Sequence, residues 1–266
     1  MYLSLAKKLL DNEYKAKRDL ADESGKILIE EKIVHSYQVL GAGNMILKNE
    51  EIYKDCCEEE IDKLKATVLL HDLGRFEEGV TKGIDHGVYG ADLLRGVEEF
   101  SKPYILLAVK HHGHLIEDLY EDVEYKILSE EEKEKVKKYI FLVRDADKLA
   151  NFYLLSRKFE EMEELFIHPS RFKVTSDVSE IIRGDFLGYK AINKKNVTTV
   201  AEQALMVLAC VFDLNYGASF RFLDKTGAIE KFFRSCEKYF YEKDALIFKN
   251  VLFGYMNKML NKKASV

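Results

Sequence analysis

The amino-acid sequence predicts an all-α protein, a helical bundle with a C-terminal helical extension. Helix breakers are rare, since the 266 residues include two prolines, while the helix formers Leu, Lys, Glu and Ala are abundant. Apolar residues recur at intervals of three and four along most of the chain, which is the spacing of one face of an α-helix. Signals for strands are scarce, so no sheet is predicted.

The apolar spacing predicts ten helices, and several of them have start signals. Asp85 can cap the helix that follows it, and Pro103 stands where a first helical turn tolerates proline. Thr199 and Glu202 have the spacing of a capping box. The predicted helices cover residues 2–20, 26–48, 60–73, 85–99, 102–112, 131–156, 157–166, 198–213, 226–240 and 242–262.

The chain is predicted to divide into a helical domain at residues 1–160 and a loop with a helical extension at 161–266, packed on that domain. The loop, residues 167–198, contains Pro169, two glycines and clustered basic residues. Long segments of this kind inside a compact domain are often functional. Two interpretations stay open for it: a functional loop or lid, and a solvated surface connection.

The C-terminal helices carry an aromatic stripe that includes Tyr216, Phe220 and Phe222. Such a stripe suits a hydrophobic core or the interface of a homodimer. The alternative is a pocket in which a nucleotide base stacks, although binding pockets are few in any protein.

Composition and charge exclude several classes of protein. The net charge is −5 with both signs interspersed, which argues against nucleic acid as the main partner, because such proteins carry a basic face. The longest apolar run, residues 204–212, is far shorter than the roughly 20 residues that span a membrane. No CxxC pair occurs among the four cysteines, which indicates reduced thiols and a cytoplasmic protein.

Histidines and carboxylates interrupt the apolar faces of five predicted helices. In the stretch VLLHDLGRF, His71 and Asp72 share a face with Leu64 and Val68. A buried carboxylate without a partner costs several kcal/mol, so each such group requires a partner. One bound metal ion would serve all of them at once. The positions with this placement are His35, His71, Asp72, His86, His111, His112 and Asp147.

A single buried histidine is more often a hydrogen-bonded core residue than a metal ligand, and this interpretation is given to His114 and His168. Asp145 is interpreted as the salt-bridge partner of a nearby basic residue. The remaining donors are nitrogen and oxygen atoms without a thiolate, which suits Mn²⁺, Fe²⁺, Ni²⁺, Co²⁺ or Zn²⁺. More than four candidates leave room for one or two ions.

The order of these residues resembles the HD-domain superfamily of metal-dependent phosphohydrolases. The resemblance covers about residues 30 to 155 and is carried by VHSYQVLGAGNMI, VLLHDLGRF, DHGVYGADLL, AVKHHGHL and RDADKLANF. It implies a metal site formed by His35, His71, Asp72 and Asp147. It also implies that His86, His111 and His112 bind a second ion, with Asp72 as the bridge, or contact phosphate.

The function that the resemblance implies is hydrolysis of a phosphate ester or anhydride of a nucleotide, through water activated by the metal. Asp72 would bind metal and orient the nucleophile, and His111 or His112 would donate a proton if it is not a ligand. Arg75 and Lys148 are candidates to hold phosphate oxygens, or are solvated surface residues. The sequence has no GYP motif after HHGHL, which disfavours the cyclic-di-GMP branch. HDLGRF lacks the Glu-Asp pair of alarmone hydrolases, but ADKLAN resembles their corresponding helix, so that substrate stays open. DHGVYGADLL also resembles the diadenosine tetraphosphate hydrolase branch. Two alternatives stay open, a non-catalytic metal or nucleotide sensor and an HD-like di-iron oxygenase.

Overall fold

A computed structural model describes residues 1–262 and confirms the all-α prediction, since this part of the chain contains no strand. One isolated bridge joins Lys173 and Thr199. No helix of the described residues is long and apolar enough to cross a membrane. The α-helices are α1 (Tyr2–Leu20), α2 (Glu23–Asn49), α3 (Glu58–Leu70), α4 (Arg75–Glu78), α5 (His86–Arg95), α6 (Pro103–His111), α7 (Ile116–Glu121), α8 (Val123–Lys126), α9 (Glu130–Phe166), α10 (Glu180–Leu187), α11 (Val200–Ala209), α12 (Gly217–Thr226), α13 (Ala228–Cys236) and α14 (Glu242–Lys262).

The chain forms two compact units, one over Met1–Ala150 and one from Asn151 onward. The sequence places the division after residue 160, whereas the units divide within α9. Within the first unit, α3 packs against α1 and α2, and α5 packs against α6. Fully buried leucines and valines of α3, α6 and α9 form its core. That the C-terminal extension packs against this unit stays a prediction.

The helix starts in the first unit follow the local sequence. The carboxylate of Asp22 accepts a hydrogen bond from the Gly25 amide at the start of α2. Asp85 does the same for two amides of α5, as predicted, and Pro103 is the first residue of α6. These side chains satisfy amides that would otherwise lack partners at a helix end.

Helix α3 ends earlier than the apolar spacing predicts, and a turn follows it. The spacing extends this helix to residue 73, but α3 ends at Leu70, so His71 and Asp72 lie in the turn that leads to α4. Gly74 in this turn has no room for a side chain, because a Cβ there would lie 2.1 Å from the His86 carbonyl oxygen. The glycine therefore lets the turn approach the first residue of α5.

The second unit contains two helices that the sequence did not predict, α10 and α12. Helix α10 lies inside the segment 167–198, which is thus only partly a loop. The predicted capping box is confirmed, with Thr199 and Glu202 bonded reciprocally at the start of α11. Tyr216 and Phe220 are buried, which favours core over the alternative of an open base-stacking pocket.

Candidate metal centre

Helices α2, α5 and α9 and the turns after α3 and α6 bring the predicted donors of the first unit together. His35 lies in the middle of α2 and Asp147 in α9, with His35 Nε2 2.9 Å from Asp147 Oδ1. His71 Nε2 lies 3.8 Å from that same oxygen. His35, His71 and Asp147, here named the first group, offer ligand atoms within 4.8 Å of one another.

A second cluster lies on the other side of Asp72. His86 Nε2 is 3.4 Å and His112 Nε2 is 3.2 Å from Asp72 Oδ1, and the two nitrogens are 3.3 Å apart. Three ligands at roughly 2.1 Å from one ion lie about 3.0 to 3.4 Å from each other. These three atoms therefore have the spacing of ligands to one shared ion, and His86 and His112 are here named the second group.

The Asp72 carboxylate lies between the two groups and turns one oxygen to each. Oδ1 faces His86 and His112, while Oδ2 lies 3.7 Å from His71 Nε2. Asp72 is buried, with 3% of its surface exposed. This is the placement that a carboxylate requires to bind two ions at once.

Two of the imidazoles are held by hydrogen bonds from Nδ1, which leaves Nε2 as the nitrogen that can bind a metal ion. His71 Nδ1 donates to the Val68 carbonyl at 2.9 Å, and His112 Nδ1 donates to the Val109 carbonyl at 2.7 Å. Each ring therefore turns Nε2, the nitrogen that has no backbone acceptor, toward the carboxylate, an orientation that backbone acceptors give to metal-binding histidines. His71 Nε2 is buried and has no hydrogen-bond partner among the described residues.

The residues present fit a divalent transition metal. His71 Nε2 is a buried nitrogen without a hydrogen-bond partner, and a bound metal ion would satisfy it as a ligand. The surrounding donors are imidazole nitrogens and carboxylate oxygens, the ligand types that such ions accept.

The match with known families agrees with this geometry. Residues 33–151 match the family model described as HD domain. These residues form an HD domain. The resemblance predicted from the sequence is thereby confirmed. No curated protein and no solved structure matches the chain.

Burial and neighbouring charges set the protonation states of four donors of the HD domain, His71, His86, Asp72 and Asp147. Burial lowers the pKa of His71 to about 4 and that of His86 to about 2, so both imidazoles are neutral at pH 7. Burial alone would raise the pKa of Asp72, but Lys32 and the neighbouring histidines hold it well below its usual range. Burial opposes ionisation of Asp147 too, yet the hydrogen bond from His35 lowers its pKa. Neutral imidazoles and ionised carboxylates are the forms that bind metal.

The structure does not bring His111 into either group. Its Nε2 lies 2.7 Å from Asp122 Oδ2, an oxygen that Lys110 Nζ also contacts at 2.7 Å. His111 is the last residue of α6, and adjacent residues there point in different directions, so only His112 faces Asp72. His114, which the sequence assigns to no metal role, contacts Asp85.

The two predicted phosphate contacts occupy different positions in the HD domain. Arg75 Nε lies 3.5 Å from Asp72 Oδ1, and its Nη1 pairs with Glu78 at 2.5 Å. Lys148 Nζ donates weakly to the Arg144 carbonyl at 3.4 Å. Arg75 is thus beside the centre with its guanidinium already engaged by two carboxylates.

Sequence reasoning missed two basic residues at the centre. Lys32 Nζ lies 3.0 Å from Asp72 Oδ2, and its position three residues before His35 on α2 was the available signal. Arg144 Nη1 donates to the carbonyls of His111 and His112, at 3.0 and 3.1 Å, and also to that of His114. These bonds fix the backbone that carries His112.

Proposed function

We propose that this protein is a metal-dependent phosphohydrolase that cleaves a phosphate ester or anhydride. The observation that carries the proposal is the Asp72 carboxylate between two groups of donors, with the His71 Nε2 atom unpartnered beside it. The match of residues 33–151 to the HD domain supports the same chemistry.

The proposed roles of the residues follow from their contacts. His35, His71 and Asp147 would hold one ion, His86 and His112 a second, and Asp72 would bind both. When bound, a divalent ion would supply Lewis acidity toward a phosphoryl oxygen and a water molecule acidic enough to ionise near neutral pH.

Three side chains would have further roles in orienting water, holding the carboxylate and admitting the substrate. Asp72 has a lowered pKa, so its carboxylate stays ionised and can orient a nucleophilic water by accepting a hydrogen bond. Arg75 would keep the Asp72 carboxylate in place from the side of Oδ1. Asp147 is the most exposed of the donors, with 22% of its side chain accessible, which supports entry of the substrate from its side.

The substrate is proposed to be a nucleotide or another small phosphorylated molecule. Lys32 and Arg75 supply positive charge beside the two carboxylates, which suits a phosphate group. The experiment is a turnover assay with Mn²⁺, Fe²⁺, Ni²⁺, Co²⁺ or Zn²⁺ and three substrate classes. These classes are a phosphomonoester, a dinucleotide polyphosphate and a nucleoside triphosphate.

The matched variants are Asp72→Ala and Asp92→Ala, since Asp92 is an exposed aspartate of α5. Asp72→Ala is expected to abolish turnover and metal binding, whereas Asp92→Ala is expected to retain both. No turnover of any substrate with any of these ions would refute the proposal. Tight nucleotide binding without turnover would identify a sensor, and oxygen consumption by the Fe²⁺-loaded protein would identify an oxygenase.

A further inference from the structure

Lys32 is the basic side chain that contacts Asp72 Oδ2, whereas Arg75 lies beside the other oxygen, Oδ1. It lies one turn before His35 on α2, and its Nζ contacts Asp72 Oδ2, the oxygen that faces the first group. With 21% of its side chain exposed, it reaches the buried carboxylate from the solvent side. Asp72 is its one hydrogen-bond acceptor among residues 1–262.

A bound ion would deprive Lys32 of this acceptor. One divalent ion already balances the charges of the two carboxylates Asp72 and Asp147, a second ion adds further positive charge, and the charge of Arg75 is balanced by Glu78. The Lys32 ammonium is then left without a negative charge to balance it. A partly buried ammonium without an acceptor is costly, and its flexible four-carbon stem allows it to turn to another anion.

We propose that Lys32 is a substrate-binding residue whose ammonium leaves Asp72 when an ion binds and contacts a phosphoryl oxygen of the substrate. This inference rests on the proposed function, because it concerns the substrate of the same site. Arg75 is less suited to the role, because its Nη1 is paired with Glu78. Lys32 would thus couple loading of the ion to recognition of phosphate.

The test measures metal and phosphate binding separately in the full chain. Mn²⁺ affinity is measured from the electron paramagnetic resonance of free Mn²⁺, and affinity of the Mn²⁺-loaded protein for inorganic phosphate by calorimetry. The variants are Lys32→Met, Lys32→Arg and the control Lys26→Met, which removes an exposed lysine of the same helix whose partner is Glu23.

Lys32→Met is expected to weaken phosphate binding by at least about tenfold. Its Mn²⁺ affinity should equal or exceed that of wild type, because a competing cation is gone. Lys32→Arg keeps the charge, so its affinity for phosphate should stay within about threefold of that of the wild type. Lys26→Met should bind phosphate as the wild type does.

Three results would overturn the inference: unchanged phosphate binding in Lys32→Met, a parallel loss of Mn²⁺ affinity, or no phosphate binding by the wild type. The first two would make Lys32 a charge partner of Asp72 only. A wild type that binds phosphate through Lys32 but hydrolyses none of the substrates would leave the inference standing and refute the proposed function instead.

Discussion

Gly74 is the residue at which a single methyl group should disturb the centre. Its backbone has φ −70° and ψ −14°, a conformation that alanine adopts without strain, so Gly74→Ala tests space alone. The added Cβ would lie 2.1 Å from the His86 carbonyl oxygen and 2.9 Å from the Gly90 amide nitrogen. Both are backbone atoms of α5, which cannot move aside as a side-chain end can.

The size of the effect follows from these distances. Real Cβ contacts essentially never fall below 3.0 Å, so the 2.1 Å contact requires a separation of at least about 0.9 Å between the turn and α5. Overpacking of this kind costs typically about 1–3 kcal/mol. The lower chain entropy of alanine offsets about 0.5–1 kcal/mol. The difference spans about 0–2.5 kcal/mol, and because both close contacts are with backbone atoms we expect Gly74→Ala to lower the free energy of unfolding by about 1–2.5 kcal/mol.

The same displacement should reach the second group, because His86 is the first residue of α5. Its 3.4 Å separation from Asp72 Oδ1 would lengthen, and the affinity of this group for an ion should fall. Urea unfolding in EDTA measures stability, and calorimetry with Mn²⁺ measures binding. The control is Gly41→Ala in α2, where a Cβ meets nothing within 4 Å and alanine should add about 0.5–1 kcal/mol. Unchanged or increased stability of Gly74→Ala would refute the reasoning.

Three further predictions concern ions and caps. Mn²⁺ at about 100 times its Kd should raise the free energy of unfolding by about 2.7 kcal/mol, and thermal unfolding of His71→Ala should show no such increase. Asp122→Ala should cost about 2–3 kcal/mol in urea unfolding, since it removes the cap of α8 and the partner of Lys110; a loss below about 0.5 kcal/mol would contradict this. The pKa of Asp122 is lowered to about 2, because hydrogen bonds from Lys110 and His111 outweigh burial, so its contribution is present above roughly pH 4 and lost as the pH falls through 2. Glu202→Ala should cost about 1–2 kcal/mol, measured the same way, because its carboxylate accepts from amides at the start of α11.

The parts of the fold that depend on neighbouring residues could be predicted from the sequence. The caps at Asp85 and Thr199 are local hydrogen bonds, and the helical class follows from spacing and composition. The end of α3 could not be predicted, because His71 and Asp72 continue its apolar face and hide the turn. Helix α10 was missed because Gly184 lies inside it and reads as a loop signal.

The sequence predicts which residues lie on the helix faces near the candidate centre, but it does not predict which of them reach it. Periodicity places both His111 and His112 near the centre, but adjacent helical residues point about 100° apart, so one of them must face elsewhere. The sequence does not say which, since the choice depends on Asp122, the N-cap of α8. Lys32 was missed because a lysine on an amphipathic helix is normally solvated, and its partner Asp72 is 40 residues away.

Arg144 connects the two groups of donors in the centre. It lies one turn before Asp147 on α9, and it holds the carbonyls at the end of α6 beside His112. The helix that carries a donor of the first group thus also fixes a donor of the second, and Asp72 belongs to both. Ions at the two groups would therefore bind with linked affinities, each changing the dissociation constant of the other by the same factor. A titration with metal should then deviate from the isotherm of two independent sites.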